Sequence, residues 1–338
     1  MSTITILGAG AMGSAIATPL RDAGHQVRLW GTHLDDHLIA AVRDGKPHPR
    51  TKVPLAGGVA TFLAGDLTAA LDGADVVVLA VSSAGVIDIA RLAAPHLAGI
   101  RAVLLTSKGF APDHEGRIIL LPQAVEAQLA TPLPIIAVGG PCKANEVAAR
   151  RPTAAIYAAA EDPQGWAQFA TTDAYRVAHT TDRDGVELCA ALKNVYAIAL
   201  GVADGLTESG GEPFHDLKAA AFGQALAELR RLLAAEGADP WTALGLAGAG
   251  DLEVTGLSGR NKVYGTRLGK GQGADEALAE MVAAEQTVEG VPAVALATTF
   301  IQQRHPELAG ELPLLHAIHA VVHEGAGLQR IIDAALPH

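Results

Sequence analysis

The chain opens on a strand-like run, Thr3-Ile4-Thr5-Ile6-Leu7, that leads directly into Gly8-Ala9-Gly10-Ala11-Met12-Gly13. An apolar helical pattern through Ile16 and Leu20 follows, then a second strand-like run, Gln26-Val27-Arg28-Leu29-Trp30. G-x-G-x-x-G between a strand and a helix is the dinucleotide-binding arrangement. Gly8 permits the tight turn, Gly10 lets the backbone approach a pyrophosphate, and Gly13 lets the helix pack close on the strand. The helix start at Ala11 and Met12 then offers N–H groups to phosphate oxygens. A chain that begins this way is committed to a parallel, helix-covered sheet.

The end of the second strand usually shows which dinucleotide is preferred. An acidic residue there binds the ribose 2′-hydroxyl, and a nearby arginine accommodates a 2′-phosphate. Here the sequence continues Gly31-Thr32-His33-Leu34-Asp35-Asp36, with neither signal at the expected place. Asp35 comes slightly late, and Lys46 and Arg50 lie in a Gly/Pro-punctuated run that can fold back toward a 2′-phosphate. The cofactor is therefore NAD or NADP. Trp30 and Thr32 join the glycine loop as candidate cofactor-binding residues.

Asp75 to Val81 is a nearly unbroken apolar run, the pattern of a strand buried on both faces. Ser82-Ser83 follow at its carboxyl end, where ligands bind in such sheets. Ala102 to Thr106 repeats the pattern and ends in Ser107-Lys108-Gly109, and Pro134 to Gly139 ends in Gly140-Pro141-Cys142-Lys143. Thr153 to Ala160 and Ala174 to Val177 extend the sheet. Thr180-Thr181-Asp182 has the composition of a helix N-cap.

In Glu187 to Leu200, Leu188, Leu192, Val195 and Ala199 recur at helical spacing. Apolar residues extend beyond that stripe, as in a helix buried in a large protein. Lys193-Asn194 sits in its middle. Buried lysines are rare, so an isolated one would be read as snorkelling to solvent. Its position after a nucleotide-binding half and before a helical half places it where ligand clefts form. The expected architecture is α/β: an N-terminal Rossmann-type, doubly wound, mostly parallel sheet over 1–182, then an all-helical substrate-binding domain over 183–338. In the second half Gly256 to Lys262 reads as a basic loop whose N–H groups, Arg260 and Asn261 suit a phosphate. His316, His319 and His323 share a helix face, but no carboxylate or supporting partner is evident, so no metal is expected.

The formal net charge of −11 argues against nucleic acid or an anionic membrane as the main partner. Cys142 and Cys189 have no disulfide or metal spacing, which suits a reducing compartment. No signal pattern stands at the N-terminus and the apolar runs are interrupted, so a cytoplasmic protein without membrane insertion is expected.

Taken together, these residues resemble the NAD(P)-dependent glycerol-3-phosphate dehydrogenases nearly end to end. The likeness is carried by Gly8-x-Gly10-x-x-Gly13, Ser107-Lys108-Gly109, Gly140-Pro141, and Glu187-Leu188-Cys189 with Ala191-Leu192-Lys193-Asn194. It continues through Gly248-x-Gly250-Asp251-Leu252, Thr255, Gly259-Arg260-Asn261 and Glu289-Gly290. Ile6 to Trp30 and His48-Pro49-Arg50 are similar to an archaeal-type branch. The resemblance implies Lys193 as catalytic lysine, Lys108 as a second active-site lysine, and Asp251 as the residue that orients Lys193. It implies that Asn194, Arg260 and Asn261 hold phosphate and that Thr255 lines the substrate pocket. Ser82, Lys108, Arg260 and Glu289 fall on the cofactor side, and a homodimer is the possible assembly.

Two stretches depart from the family pattern. Lys143 stands where the family has a small or apolar residue, and Pro213 to Gln224 lacks the usual Asn before, and Thr-Arg pair after, the Lys218-Ala219-Ala220 segment. Lys143 is therefore a candidate for tuning substrate choice, with Glu146 or Asp216 able to neutralise it instead. The expected reaction is hydride transfer between glycerol 3-phosphate and dihydroxyacetone phosphate. Alternatives are the same chemistry on another phosphorylated polyol, a hydroxyacid- or opine-type dehydrogenase, and a non-catalytic nucleotide sensor.

Overall fold

A computed structural model describes residues 1–337. Contacts divide them into two units: Met1–Ala111 with Leu120–Glu187, and Pro112–Ile119 with everything from Leu188 onward. The division falls inside the Arg183–Gly210 helix, five residues after the 182/183 position read from the sequence.

The first unit holds an eight-stranded sheet. Its strands are β1 (Thr3–Leu7), β2 (Gln26–Trp30), β3 (Ala60–Phe62), β4 (Val76–Leu79), β5 (Ala102–Leu105), β6 (Ile135–Gly139), β7 (Thr153–Ala158) and β8 (Tyr175–Thr180). Their spatial order is β8-β7-β6-β5-β4-β1-β2-β3. All neighbouring pairs are parallel except β6 and β7, where Val138 faces Tyr157 in antiparallel register. In register, Ile4 is flanked by Val27 on β2 and Val76 on β4. Strand order reverses at β1/β4, and the crevice at the carboxyl ends of those strands is where such sheets bind ligands. Ile4, Ile6, Val76, Val78 and Leu104 are buried on the central strands. Ile16 and Leu20 of the Ala11–Asp22 helix pack into the same core.

The second unit is helical from Leu188 onward. Its axis is the Arg183–Gly210 helix, whose start is capped by Asp182 accepting from the Gly185 N–H at 3.2 Å. This helix is long and apolar enough to cross a bilayer, but 94% of its apolar window is buried within the protein. It crosses the Arg260–Gly269 helix with backbone against backbone. A Cβ on Gly201 would meet Lys262 O at 2.1 Å, and one on Gly265 would meet Ile198 O at 2.0 Å. Glycine is the residue that lets two helices approach this closely, and here it sets the position of one functional helix on the other.

The stretch read as a basic loop is mostly helix. Asp251–Ser258 and Arg260–Gly269 are both helical, and Gly259 alone separates them. The chain turns there because Gly259 is extended and a Cβ on it would lie 2.7 Å from Thr255 O. Donor-rich composition does not distinguish a loop from a helix start, which exposes N–H groups as well.

Candidate active site

In the first unit the glycine motif has a separate job for each glycine. Gly8 has φ +112°, and a Cβ there would lie 2.7 Å from Ala80 O. A Cβ on Gly13 would lie 1.9 Å from Gly8 O. Gly10 is different: a Cβ on it would meet nothing within 4 Å. The first and third glycines thus serve packing, while the second leaves open space beside the start of the Ala11–Asp22 helix. That helix has no side-chain cap, so its first-turn N–H groups are available to a ligand. This arrangement fits a dinucleotide pyrophosphate.

The residues after β2 brace the loop. Asp35 is buried, and its Oδ2 accepts from Thr32 N at 3.0 Å, Thr32 Oγ1 at 2.9 Å and Ala9 N at 3.3 Å. It is thus spent on the backbone beneath the loop. Trp30 is buried as well, and its indole N–H donates to Ala64 O at 3.2 Å, so its side chain belongs to the core. Lys46 lies 3.1 Å from Asp44 in an exposed pair. Ser82 stands extended just beyond β4, and Ser107 Oγ donates to Val81 O at 2.6 Å, tying the β5 end to the β4 end.

The turn carrying Lys108 has a partner that the sequence reading missed. Glu187 is 2% exposed and accepts from Gly109 N–H at 3.0 Å. Burial pushes its carboxyl up to about 8, although the Gly109 N–H and the Lys108 charge oppose the shift. A glutamate two turns before Lys193 on an otherwise apolar helix was the available signal. Lys143 begins the Ala144–Ala148 helix with its side chain 40% exposed and its ammonium 4.0 Å from Glu146.

In the second unit Lys193 and Asp251 form a buried ion pair, hydrogen bonded Nζ to Oδ1. Asp251 begins its helix directly after a π-helical turn, Leu246–Gly250. There Gly250 N donates to Gly245 O at 3.1 Å, and a Cβ on Gly248 would lie 2.0 Å from Ala243 O. The glycines of Gly248-x-Gly250-Asp251 therefore permit the distortion from which the carboxylate emerges. Thr255 Oγ1 donates to Asp251 O one turn back.

Next to Lys193, Asn194 joins a chain of amides. Asn261 Nδ2 donates to Asn194 Oδ1 at 2.9 Å, and Asn194 Nδ2 donates to Glu289 Oε2 at 3.2 Å. Gly290 N donates to Asn261 Oδ1 at 2.8 Å, and a Cβ on Gly290 would lie 2.5 Å from Asn194 O. Both asparagines are buried, so each amide keeps at most one N–H for a ligand. Arg260 is half exposed, 4.0 Å from Glu289, at the uncapped start of its helix. A helix N-terminus with an arginine and amide N–H groups suits an anion.

Two of the three histidines have partners, while His316 Nε2 is buried without a hydrogen bond. His319 pairs with Glu324 at 3.1 Å and His323 Nε2 lies 2.8 Å from Val291 O. Among the described residues no group of His, Cys, Asp or Glu is disposed to hold a metal.

Residues 3–165 match the model for the NAD-dependent glycerol-3-phosphate dehydrogenase N-terminus, and residues 182–333 match the model for its C-terminus. The chain belongs to the NAD(P)-dependent glycerol-3-phosphate dehydrogenase family. It is 34% identical over 336 residues to the NADP(+)-dependent glycerol-3-phosphate dehydrogenase of Archaeoglobus fulgidus, covering 97% of each chain. It is 37% identical over 328 residues to the glycerol-3-phosphate dehydrogenase [NAD(P)+] of Symbiobacterium thermophilum, covering 95% of this chain and 90% of the relative. Its fold superposes on the crystal structure of the Coxiella burnetii glycerol-3-phosphate dehydrogenase with a TM-score of 0.85. That likeness has 30% identity and covers 100% of this chain and 99% of the other.

Proposed function

We propose that the chain interconverts sn-glycerol 3-phosphate and dihydroxyacetone phosphate with NAD or NADP. The observation that carries this reading is the buried Lys193–Asp251 pair, set one residue from the Asn261–Asn194–Glu289 hydrogen-bond chain. When bound, the dinucleotide gives hydride to the substrate carbon or accepts it. Gly10, with the N–H groups of Ala11 and Met12, holds its pyrophosphate while Gly8 and Gly13 shape the turn, and Thr32 and Ser82 border it at the strand ends, with Trp30 supporting them from the core. Lys193 gives a proton to the ketone oxygen during reduction and takes one from the alcohol during oxidation. General acid catalysis of this kind contributes about 10²–10⁴-fold. Asp251 fixes the direction of the Lys193 side chain and compensates the cost of burying its ammonium.

Arg260, with the spare N–H groups of Asn194 and Asn261, takes the substrate phosphate. Arg260 and Glu289 also serve the cofactor side. Binding energy spent on the phosphate positions the reacting carbonyl. Thr255 lines the pocket, Lys108 is the second active-site lysine, and Lys143 tunes substrate choice. The two units divide the work, dinucleotide in the first and substrate in the second. Cys142 and Cys189 form no disulfide, which suits a cytoplasmic setting, and a homodimer is the assembly to test by sedimentation.

The deciding experiment is a dehydrogenase assay over a panel of phosphorylated polyols with NAD and with NADP. Turnover of glycerol 3-phosphate above its longer and unphosphorylated analogues is the expected result. Dinucleotide binding without turnover of any member would overturn the reading.

A further inference from the structure

Ala9 lies between the first two glycines of the loop and is fully buried. Both of its backbone polar groups are taken by side chains from the segment after β2. Its N–H donates to Asp35 Oδ2 at 3.3 Å, and its carbonyl lies 2.9 Å from His48 Nε2. His48 is 1% exposed. Its other nitrogen, Nδ1, faces two backbone donors, Arg50 N at 3.3 Å and Thr51 N at 3.4 Å. Two N–H groups aimed at Nδ1 require it to be the acceptor, so the proton sits on Nε2 and is donated to Ala9 O. The same residue closes its own turn: His48 N donates to Val53 O at 2.9 Å and Lys52 N donates to His48 O at 2.8 Å.

We propose that the neutral imidazole of His48 is a positioning residue for dinucleotide binding. With Asp35 it clamps the Ala9 peptide so that the open side of Gly10 and the following helix start are held toward the pyrophosphate. The proposal rests on reading the glycine loop as the dinucleotide site. It makes binding sensitive to acid, because a proton on Nδ1 would oppose the Arg50 and Thr51 N–H groups and break the turn that carries them. Burial holds the imidazole below its ordinary value; the Ala9 carbonyl acts upward, as does Asp35, while Arg50 and His37 act downward. The neutral form therefore persists at neutral pH and is lost on acidification.

The test is titration of NADH and NADPH into the full-length wild type, His48→Ala and His48→Gln between pH 8 and 5, followed by reduced-nicotinamide fluorescence. NADH has no 2′-phosphate to titrate, so an acid limb seen with it belongs to the protein. His48→Ala is expected to raise Kd about tenfold at pH 8, the order of one lost buried hydrogen bond. In the same variant kcat at saturating dinucleotide should change by less than about twofold. His48→Gln retains a donor for Ala9 O, so it should recover part of the affinity and show no acid limb. The proposal is overturned if His48→Ala binds like wild type, or if wild type and His48→Gln share one pH profile. If His48→Ala does not fold, the comparison of wild type with His48→Gln decides alone. A wild type that binds neither dinucleotide would instead overturn the reading of the loop itself.

Discussion

Lys193 and Asp251 form an ion pair 58 residues apart in the chain, with 11% of the lysine side chain and 2% of the aspartate side chain exposed. Each charge makes the other's burial tolerable, and breaking such a pair from one side leaves an uncompensated charge. Lys193→Ala is expected to lower kcat about 10²–10⁴-fold and to change dinucleotide Kd only a few-fold. Steady-state kinetics beside direct dinucleotide titration checks this. Near-wild-type turnover in a folded variant would remove Lys193 from the proton transfer. Asp251→Asn should lower kcat by a smaller factor, because the lysine remains while its orienting charge is gone.

Arg260 is half exposed and separated from Glu289 by 4.0 Å, so losing it costs little stability. Arg260→Ala should raise KM for glycerol 3-phosphate about tenfold or more, with little effect on KM for glycerol. Equal losses on both substrates would assign the arginine to the cofactor or to structure.

Lys143 has an exposed side chain and Glu146 within ion-pair reach. Lys143→Ala should change the ratio of kcat/KM between glycerol 3-phosphate and a longer polyol phosphate, and leave dinucleotide Kd unchanged. An unaltered ratio across the panel would return Lys143 to an ordinary surface ion pair.

Glu187 links proton uptake to stability. Its carboxyl is pushed up to about 8 in the folded protein from an ordinary value of 4.5. The folded state thus holds a proton that the unfolded state has lost across that window. This contribution to stability is fully present below pH 4.5, declines as pH rises, and is gone above pH 8. Glu187→Gln cannot ionise and still offers an oxygen to the Gly109 N–H. It should raise Tm relative to wild type at pH 8.5 and not at pH 4.5. Thermal unfolding at the two pH values decides, and a constant difference would show that Glu187 does not titrate in this window.

Glu228 is fully buried and accepts from Leu314 N at 2.6 Å, Leu315 N at 3.0 Å, Tyr196 Oη at 3.0 Å and Gln224 Nε2 at 2.9 Å. It closes the start of the Pro313–His323 helix. Glu228→Ala leaves these donors without their acceptor and opens a cavity, so unfolding free energy should fall by about 3 kcal/mol or more. Urea denaturation with an unchanged m-value would show that the loss is stability alone.

Local pattern was enough for several decisions. The strand–glycine–helix order of residues 3–20, the unbroken apolar runs at Val76 and Ala102, and the spacing of Leu188, Leu192, Val195 and Ala199 each settle an element from neighbours a few positions away. The identities of Lys193, Asp251 and Arg260 as candidates were likewise legible, because functional motifs are short. Partners were not. Asp35 reads as a late ribose ligand but is turned to Ala9, 26 positions back, and His48 reaches the same residue across 39. Nothing local to Gly201 and Gly265 shows that two helix backbones meet through them. Glu187 reads in the sequence only as part of a motif, and its bond to Gly109, 78 positions back, appears in the structure alone. Chain-local physics determines what each segment is, since propensity and periodicity act over one or two turns. Where a side chain spends its hydrogen bonds is decided by contacts between segments distant in sequence, and only the tertiary structure contains those.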